Sequence, residues 1–192
     1  MKKLSITLIL CAMTITSFAQ TFGFGPKAGV NLSNYQGGNI QTEAKAGYHF
    51  GGMLNFGFGN VFSIQPEVLF STLGAKVESS GSEADFKINY LTVPVMLKFR
   101  TRSGFYLEAG PQAGFRLSES VPDQTIDHFA KNLDISLGGG LGYQTNIGLG
   151  IGVRYVAGLS KVGDFSSQEI NPDFKNSVIQ GSLFWVIPIV KE

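Results

Sequence analysis

Eight short segments of the sequence alternate, residue by residue, between an apolar row and a row of glycine, polar and charged residues. The third segment shows the pattern, with Ile64, Val68 and Phe70 on one row and Gln65 and Glu67 on the other. Successive side chains of a β-strand point to opposite faces of the sheet, so this period predicts strands. The chain is therefore expected to be an all-β protein.

The composition of the two rows indicates which face meets lipid. The apolar rows contain no Asp, Glu, Lys or Arg, whereas the other rows are too rich in glycine and charge to form a hydrophobic core. We therefore expect the apolar rows to face outward, toward hydrocarbon. These rows comprise Phe24, Ala28, Val30, Leu32, Phe50, Leu54, Phe56, Ile64, Val68, Phe70, Leu91, Val93, Val95, Leu97, Phe99, Leu107, Ala109, Ala113 and Phe115.

The segments and their connections predict an eight-stranded antiparallel up-and-down transmembrane β-barrel. Strands are expected near 22–33, 46–58, 61–77, 85–100, 104–118, 132–144, 147–160 and 177–189. Short connections at 57–60, 101–103 and 145–146 alternate with longer polar ones at 34–45, 78–84, 119–131 and 161–176. In a barrel entered from the periplasm, short turns lie at the periplasmic rim and longer loops face outside. Phe62, Phe99, Phe105 and Tyr143 fall near the short turns, where an aromatic girdle is expected.

Residues 1–19 read as a secretory signal peptide that is cleaved. Lys2 and Lys3 precede an apolar run, and Ser17-Phe18-Ala19 is a small-x-small cleavage site. The barrel domain is then 20–192, exported by the Sec route to the outer membrane of a Gram-negative cell. Cys11, the single cysteine, lies in the signal, so the mature chain is expected to contain no disulfide.

The charge balance argues against nucleic acid as a partner. Removal of Lys2 and Lys3 reduces the 15 basic residues to 13, against 14 acidic residues. No run of basic residues occurs in the sequence. The expected partners are instead outer-membrane lipid and extracellular or periplasmic proteins.

The inward charges are the candidate functional residues. Eight strands enclose a lumen just wide enough for side chains to fill. The charges therefore form either a paired plug that closes the lumen or the lining of a narrow ion path. They comprise Lys27, Glu67, Lys98, Arg100, Glu108, Arg116, Asp134 and Arg154. Lys27, Glu67, Lys98 and Glu108 are expected at one depth near the short turns, and Arg116 and Asp134 together at a greater one.

Other motifs do not predict catalysis, metal binding or a cofactor. His49 points inward without an identifiable serine partner, and His128 is in a loop. Asp123, Asp127 and His128 match no metal-ligand spacing. The glycine cluster at 138–142 lacks the Lys-Ser/Thr and helix of a phosphate-binding loop, so it is assigned to packing. Pro94 and Pro111 lie inside predicted strands and count against them unless bulges absorb the missing donors.

Three segments carry a family resemblance: Lys27-Ala28-Gly29-Val30-Asn31-Leu32-Ser33, Gln65-Pro66-Glu67 and Tyr90-Leu91-x-Val93-Pro94-x-x-Leu97-Lys98. With the signal peptide, they make the chain resemble the small outer-membrane β-barrel proteins of Bacteroidetes, known as porin-family or PorT-like proteins. The resemblance implies a barrel similar to those of OmpA and OmpX. It includes a proline at the position of Pro94 and transfers no catalytic residue.

Four functions compete at this point. The first is a non-enzymatic outer-membrane protein with a closed or nearly closed lumen, displaying loops for adhesion, partner binding or envelope integrity. The second is a narrow porin-like diffusion channel. The third is an outer-membrane lipid-modifying enzyme using His49 or His128, and the fourth is a soluble lipocalin-like barrel. The polar inward rows disfavour the fourth.

Overall fold

The computed structural model describes residues 21–36, 42–59, 61–79, 82–120, 133–160 and 175–189. All of its regular structure is β-sheet, and none of the described residues forms a helix long and apolar enough to cross a membrane. The strands are β1 (Thr21–Gln36), β2 (Thr42–Phe58), β3 (Phe62–Ser79), β4 (Ser82–Arg100), β5 (Phe105–Ser120), β6 (Leu133–Gln144), β7 (Leu149–Gly158), β8 (Lys175–Trp185) and β9 (Ile187–Ile189).

The sheet closes on itself and confirms the predicted barrel. Each strand from β1 to β8 pairs antiparallel with its sequence neighbour, and β1 also pairs with β8 and β9. Lys27, for example, lies opposite Gly51 of β2 and Phe184 of β8. Because β8 and β9 follow one another along the same partner strand, they act as one interrupted eighth strand. A closed sheet leaves no edge with unpaired backbone groups.

The eighth strand was predicted to be continuous over 177–189, and this is wrong at Val186. Val186 lies between β8 and β9 with a buried side chain, and its N–H donates to Gly148 O at 2.9 Å. The register with β1 is the same on both sides of Val186, since Phe184 lies opposite Lys27 and Ile187 lies opposite Phe24. The period-2 pattern does not show the interruption, because the residues on both sides are apolar.

Three short turns gather at one end of the barrel, which we call the short-turn end. They join β2 to β3, β4 to β5 and β6 to β7, as predicted. Each contains a glycine with positive φ: Gly59 at 67°, Gly104 at 100° and Gly148 at 87°. Glycine adopts this left-handed conformation without a steric cost, which explains its presence in all three turns.

The opposite end differs from the prediction in the lengths of the connections. β3 and β4 continue pairing to Ser79 and Ser82, so only residues 80–81 separate them, where a longer loop at 78–84 was expected. The first connection is likewise reduced from 34–45 to 37–41. The residues that lengthen these strands beyond the prediction are mostly polar. They show no alternation of apolar and polar residues, so the sequence pattern does not identify them as strand.

The side chains point as predicted, with apolar rows outside. Phe50 is 53% exposed and Leu107 is 61% exposed, whereas Lys27, Glu67 and Arg154 are buried inside the barrel. Near the short turns, the exposed rings of Phe62 and Phe99 lie 5.2 Å apart between centroids, and those of Phe105 and Tyr143 lie 5.3 Å apart. This is the arrangement of a membrane barrel with an interfacial aromatic girdle.

The prediction that the inward rows are glycine, polar and charged is incomplete. Large apolar side chains also point inward, where they fill the space between polar layers. These buried residues are Leu69, Leu73, Ile88, Tyr90, Tyr106, Val156, Val178 and Phe184. The wall of the barrel is lipid-facing all round, but the interior is a mixed core and not a purely polar one.

The strand prolines Pro94 and Pro111 lie in regular antiparallel pairing. The bulges that could have compensated for their missing N–H donors do not occur beside them. Pro94 lies opposite Gln112, and Pro111 lies opposite Leu137, with the same register on both sides of each proline. The register shifts of the described strands lie elsewhere, between Ala44 and His49 and between Asn89 and Tyr90. A proline removes a donor without adding a residue, so it weakens a ladder without shifting it.

Inward glycines are close to neighbouring backbone. Replacing a glycine by alanine is therefore expected to destabilise the barrel at an inward position and not at an outward one. A β-carbon at Gly142 would lie 2.6 Å from the Tyr106 hydroxyl oxygen and 2.7 Å from Gly152 Cα. Gly142→Ala is therefore expected to lower the free energy of unfolding by about 1–3 kcal/mol, as overpacking does. Gly139→Ala is the matched control, because Gly139 is on the outward face of the same strand and a β-carbon there would lie 4.0 Å from Glu108 O. Urea unfolding in lipid vesicles measures both, and equal effects would contradict the packing argument.

Candidate functional site

A network of ion pairs crosses the lumen near the short-turn end, and Glu67 of β3 is at its centre. Lys27 Nζ donates to both Glu67 oxygens, at 3.0 and 3.1 Å. Arg154 donates to the same carboxylate with two nitrogens, Nη2 to Oε1 at 2.8 Å and Nη1 to Oε2 at 3.0 Å. Two parallel bonds from a guanidinium to a carboxylate are the strongest common form of ion pair in proteins.

The network extends from Glu67 to two further strands. Arg154 Nε donates to Glu108 Oε1 at 2.8 Å, which adds β5. Gln65 Nε2 donates to Glu67 Oε1 at 2.8 Å, and Gln65 Oε1 accepts from Lys98 Nζ at 3.0 Å, which adds β4. Five strands, β1, β3, β4, β5 and β7, are therefore joined through side chains across the axis of the barrel.

The sequence makes room for this network with glycines on the facing strand. Gly140 of β6 lies opposite both Glu108 and Arg154 in the two ladders. A β-carbon at Gly140 would lie 3.0 Å from Arg154 Cα, and one at Gly138 would lie 3.4 Å from Arg154 Cδ. The predicted role of the 138–142 glycines in packing inside the barrel therefore holds for Gly138 and Gly140, which lie against Arg154, and for Gly142, which lies against Tyr106, but not for Gly139, which is on the outward face.

The charged groups of the network are buried away from water. Glu67 is 1% exposed, and Arg154 and Lys98 are each 2% exposed. Charges this buried require partners, because desolvating an unpaired ion costs several kcal/mol. Three cations face two carboxylates here, and the excess ammonium, Lys98, lies over the rings of Tyr106 and Phe184 at 4.0 and 4.4 Å from their centroids. Cation–π contact partly compensates its charge.

An apolar layer lies beside the network at the short-turn end. It consists of Met53, Tyr106, Phe184 and Val186, all buried, and we call it the apolar floor. The rings of Tyr106 and Phe184 meet edge to face, with centroids 5.9 Å apart. The network and the apolar floor thus lie next to each other inside the barrel, since Lys98 of the network contacts the rings of Tyr106 and Phe184.

A second polar cluster surrounds His49 and corrects one sequence prediction. The sequence identified no serine partner for His49, but Ser182 Oγ lies 2.9 Å from its Nε2. Asn31 Oδ1 lies 2.7 Å from its Nδ1, and Asn31 Nδ2 donates to the carbonyl oxygens of Tyr48 and Thr72. The amide of Asn31 thus orients its oxygen toward His49, so Nδ1 carries the proton and Nε2 accepts from the serine hydroxyl.

This serine–histidine–asparagine order has the connectivity of a hydrolytic triad but not the access. Ser182, His49 and Asn31 are all buried inside the barrel, behind a wall whose outer face consists of exposed apolar side chains. Gly29 lies against the histidine, so that a β-carbon there would be 2.7 Å from His49 Cε1. The cluster holds β1, β2 and β8 together at the point where the barrel closes.

The remaining predicted lumen residues lie away from the network. Arg100 is at the short-turn end, where its Nη2 donates to Thr145 O and Asn146 Oδ1, both at 3.3 Å. Asp134 lies toward the opposite end and accepts from Ser160 Oγ and Asn176 Nδ2, each at 2.7 Å. Asp134 lies opposite Gly114 in the ladder, with Arg116 two residues further along β5. The structure therefore places Lys27, Glu67, Lys98, Glu108 and Arg154 in one site and the other three outside it.

Sequence reasoning missed several residues that complete the site. Gln65 links Lys98 to Glu67, and Tyr106 and Phe184 flank the Lys98 ammonium. Tyr106 shares the alternating phase of Glu108, so the period-2 pattern contained the signal that its ring points inward. Gln65 lies on the predicted inward row two residues before Glu67, so the alternation contained the signal for that contact as well. No spacing rule identifies Ser182 as a partner of His49, because that contact depends on the register of distant strands.

Metal binding has no support in the part of the chain that the structure describes, where no three His, Cys, Asp or Glu side chains cluster. Asp123, Asp127 and His128 lie outside the described residues, as do the predicted signal peptide at 1–19 and Cys11.

A closed eight-stranded antiparallel barrel with an apolar exterior and a charged, packed interior defines a small membrane β-barrel of the outer-membrane type. Residues 18–164 match the family model described as outer membrane protein beta-barrel domain, and the chain belongs to this family. No curated protein matches the sequence.

Two solved structures show the same fold at low sequence identity. Neisserial surface protein A is 17% identical, with 84% of this chain and 96% of that chain covered and a TM-score of 0.53. Ail of Yersinia pestis, in complex with the heparin analogue sucrose octasulfate, is 13% identical, with 86% and 99% covered and a TM-score of 0.50. The similarity extends over the barrel as a whole.

Proposed function

We propose that the protein is a non-enzymatic outer-membrane barrel with a closed lumen, which displays the connections opposite the short-turn end for adhesion, partner binding or envelope integrity. The observation that carries the proposal is the buried network around Glu67, which occupies the lumen together with the apolar floor. Function in such a protein belongs to its loops, because connecting segments vary while the wall is constrained by lipid.

The finer assignment follows the sequence motifs. We propose that the chain is one of the Bacteroidetes porin-family or PorT-like barrels, exported by the Sec route after cleavage of residues 1–19. Its short-turn end then faces the periplasm. Outer-membrane lipid surrounds the wall, and the partners are extracellular or periplasmic proteins.

Loop composition narrows the choice of partner. Segments 37–41, 80–81, 121–132 and 161–174 together contain two basic residues and five acidic ones: Lys131, Lys161, Asp123, Asp127, Asp164, Glu169 and Asp173. This acidic excess repels a polyanion. We therefore do not transfer to this chain a ligand such as the heparin analogue bound by Ail, and we propose a neutral or cationic partner surface.

Planar-bilayer recording tests the closed lumen. The purified barrel is expected to give no steady single-channel openings, because the paired side chains leave no continuous water path past Glu67. Insertion is verified in the same membranes by protection of the strands from protease. Steady ion-selective openings would contradict the proposal and support the second candidate, a narrow diffusion channel lined by Lys27, Glu67 and Arg154.

The lipid-modifying enzyme is not retained as a candidate. The arrangement of Ser182, His49 and Asn31 favours it by connectivity, but these groups are sealed inside the barrel. A nucleophile must lie within bonding reach of the ester that it attacks.

A further inference from the structure

A cavity of about 190 Å³ lies at the short-turn end, between the short turns and the inner layers of the lumen. Polar and charged side chains on its wall include Asn55, Ser63, Lys98, Arg100 and Asn146, and Val186 of the apolar floor also lines it. A water molecule takes up roughly 30 Å³ of liquid, so the cavity holds a group several times that size. Its described lining contains two cations and no carboxylate.

Lys98 reaches this cavity with unused donors. Its Nζ donates to Gln65 Oε1 at 3.0 Å and lies over two aromatic rings, and among the described residues it forms no ion pair with a carboxylate. An ammonium has three donors, so the single hydrogen bond leaves two. The side chain is only 2% exposed, which makes these unused donors costly.

Arg100, on the same strand, also has a donor without a partner. Its Nη2 makes two long bonds, of 3.3 Å, to the turn at Thr145 and Asn146. Its Nε is buried and has no hydrogen-bond partner in the described part of the chain. Arg100 and Lys98 are two residues apart on β4, so their side chains point to the same face of the sheet.

A hydroxyl group completes the set of donors. Ser63 Oγ accepts a hydrogen bond from Asn55 Nδ2 at 3.1 Å, which leaves the hydroxyl hydrogen of Ser63 available to the cavity. The donors thus comprise an ammonium, a guanidinium N–H and a hydroxyl. This combination is complementary to an oxyanion, because charged donors bind carboxylate and phosphate oxygens more strongly than neutral donors do.

We propose that this cavity binds a small oxyanion, a phosphate or carboxylate group held between Lys98 and Arg100. The group belongs either to a free solute or to a lipid headgroup, since the cavity lining also includes Phe22 and Phe62 at the interfacial level. The site shares Lys98 with the network around Glu67 but does not require the lumen to be closed.

Nuclear magnetic resonance tests the site at the atom that carries the argument. The chain contains four arginines, so a ¹H–¹⁵N spectrum of the barrel in zwitterionic nanodiscs shows at most four Nε–H signals, and Arg100→Gln identifies its own by loss. Inorganic phosphate and acetate, added against chloride at equal ionic strength, are expected to shift the Arg100 signal to saturation. Lys98→Met is expected to weaken phosphate binding about tenfold, as loss of a charged donor does.

Arg102→Gln is the matched control, because Arg102 is exposed on the turn after the same strand. It is expected to change the affinity for phosphate less than twofold. If Lys98→Met does not fold, Lys98→Gln replaces it, since it removes the charge and keeps a neutral donor; weakened binding, followed at the Arg100 signal, then supports the site. Equal effects of substitutions at Lys98 and Arg102 on the affinity for phosphate would overturn the proposal.

The two sources of oxyanion are separated by a second set of nanodiscs that contain phosphatidylglycerol without added phosphate. A shift of the Arg100 signal in these discs, with none from solute in neutral discs, assigns the site to a lipid headgroup. A saturating shift from inorganic phosphate or acetate in neutral discs assigns it to a free solute. Absence of a saturating shift in both would overturn the proposal, whereas the conductance test of the closed lumen would be unaffected.

Discussion

Glu67→Gln is expected to lower the free energy of unfolding of the barrel by about 3–5 kcal/mol, the range found when one partner of a buried ion pair is removed. Glu67 accepts four hydrogen bonds from Lys27 and Arg154, and it is 1% exposed. Glutamine keeps the shape but loses the charge, so two buried cations lose their shared counter-ion and only Glu108 remains. Urea unfolding in lipid vesicles, followed by heat-dependent mobility on gels, measures the loss.

Two further variants separate the charge effect from the effect of substitution itself. Arg102→Gln also removes one charge, at an exposed position of the turn between β4 and β5, and it is expected to shift stability by less than about 0.5 kcal/mol, as surface changes do. The double variant Glu67→Gln, Arg154→Met removes one cation with the carboxylate, so it is expected to recover part of the loss. If Glu67→Gln and Arg102→Gln behave alike, the network does not contribute to stability as described.

Val153→Arg is expected to lower the free energy of unfolding in lipid by about 2–4 kcal/mol, the cost of arginine on the lipid face near the bilayer midplane. Val153 points outward from the middle of β7 and is 53% exposed. Its neighbours across the ladders are Leu141 and Gly181, so no acidic side chain lies directly opposite. Folding into vesicles of defined thickness measures the effect.

Ile147→Arg is the matched control for depth. Ile147 is 72% exposed in the turn between β6 and β7, at the rim and outside the hydrocarbon. Arginine there is expected to cost about 0–1 kcal/mol. A soluble barrel would tolerate both substitutions equally, since both sites would face water. Equal and small effects at 147 and 153 would therefore contradict the membrane orientation on which the fold assignment depends.

The strands and the orientation of their side chains were predictable, because a lipid environment requires apolar residues at every outward position. Phe50 and Leu107 must be apolar, and Glu67 and Arg154 must avoid hydrocarbon, so each strand carries its orientation in alternate residues. Short turns were predictable for a similar local reason: Gly59, Gly104 and Gly148 supply a backbone conformation that other residues rarely adopt.

The partners within the lumen were not predictable, because register is a non-local property. His49 meets Ser182 across 133 residues of sequence, and neither residue type indicates the other. The separation of Arg100 from the network also depends on position along a tilted strand, where two residues decide whether a side chain joins a buried site or the rim. The interruption at Val186 leaves no signal in the sequence, because the apolar residues on both sides have the pattern of a strand.

The order of events during insertion follows from the sequence separations within the network. Lys27 and Glu67 are 40 positions apart, and Glu67 and Arg154 are 87 apart. Arg154 reaches its two acids only after β7 has been added, so a chain halted earlier leaves Glu108 without its ion pair to Arg154. Contacts of this range form late. The buried charges are therefore fully paired only when the barrel closes. Partly assembled intermediates are expected to be unstable in the bilayer.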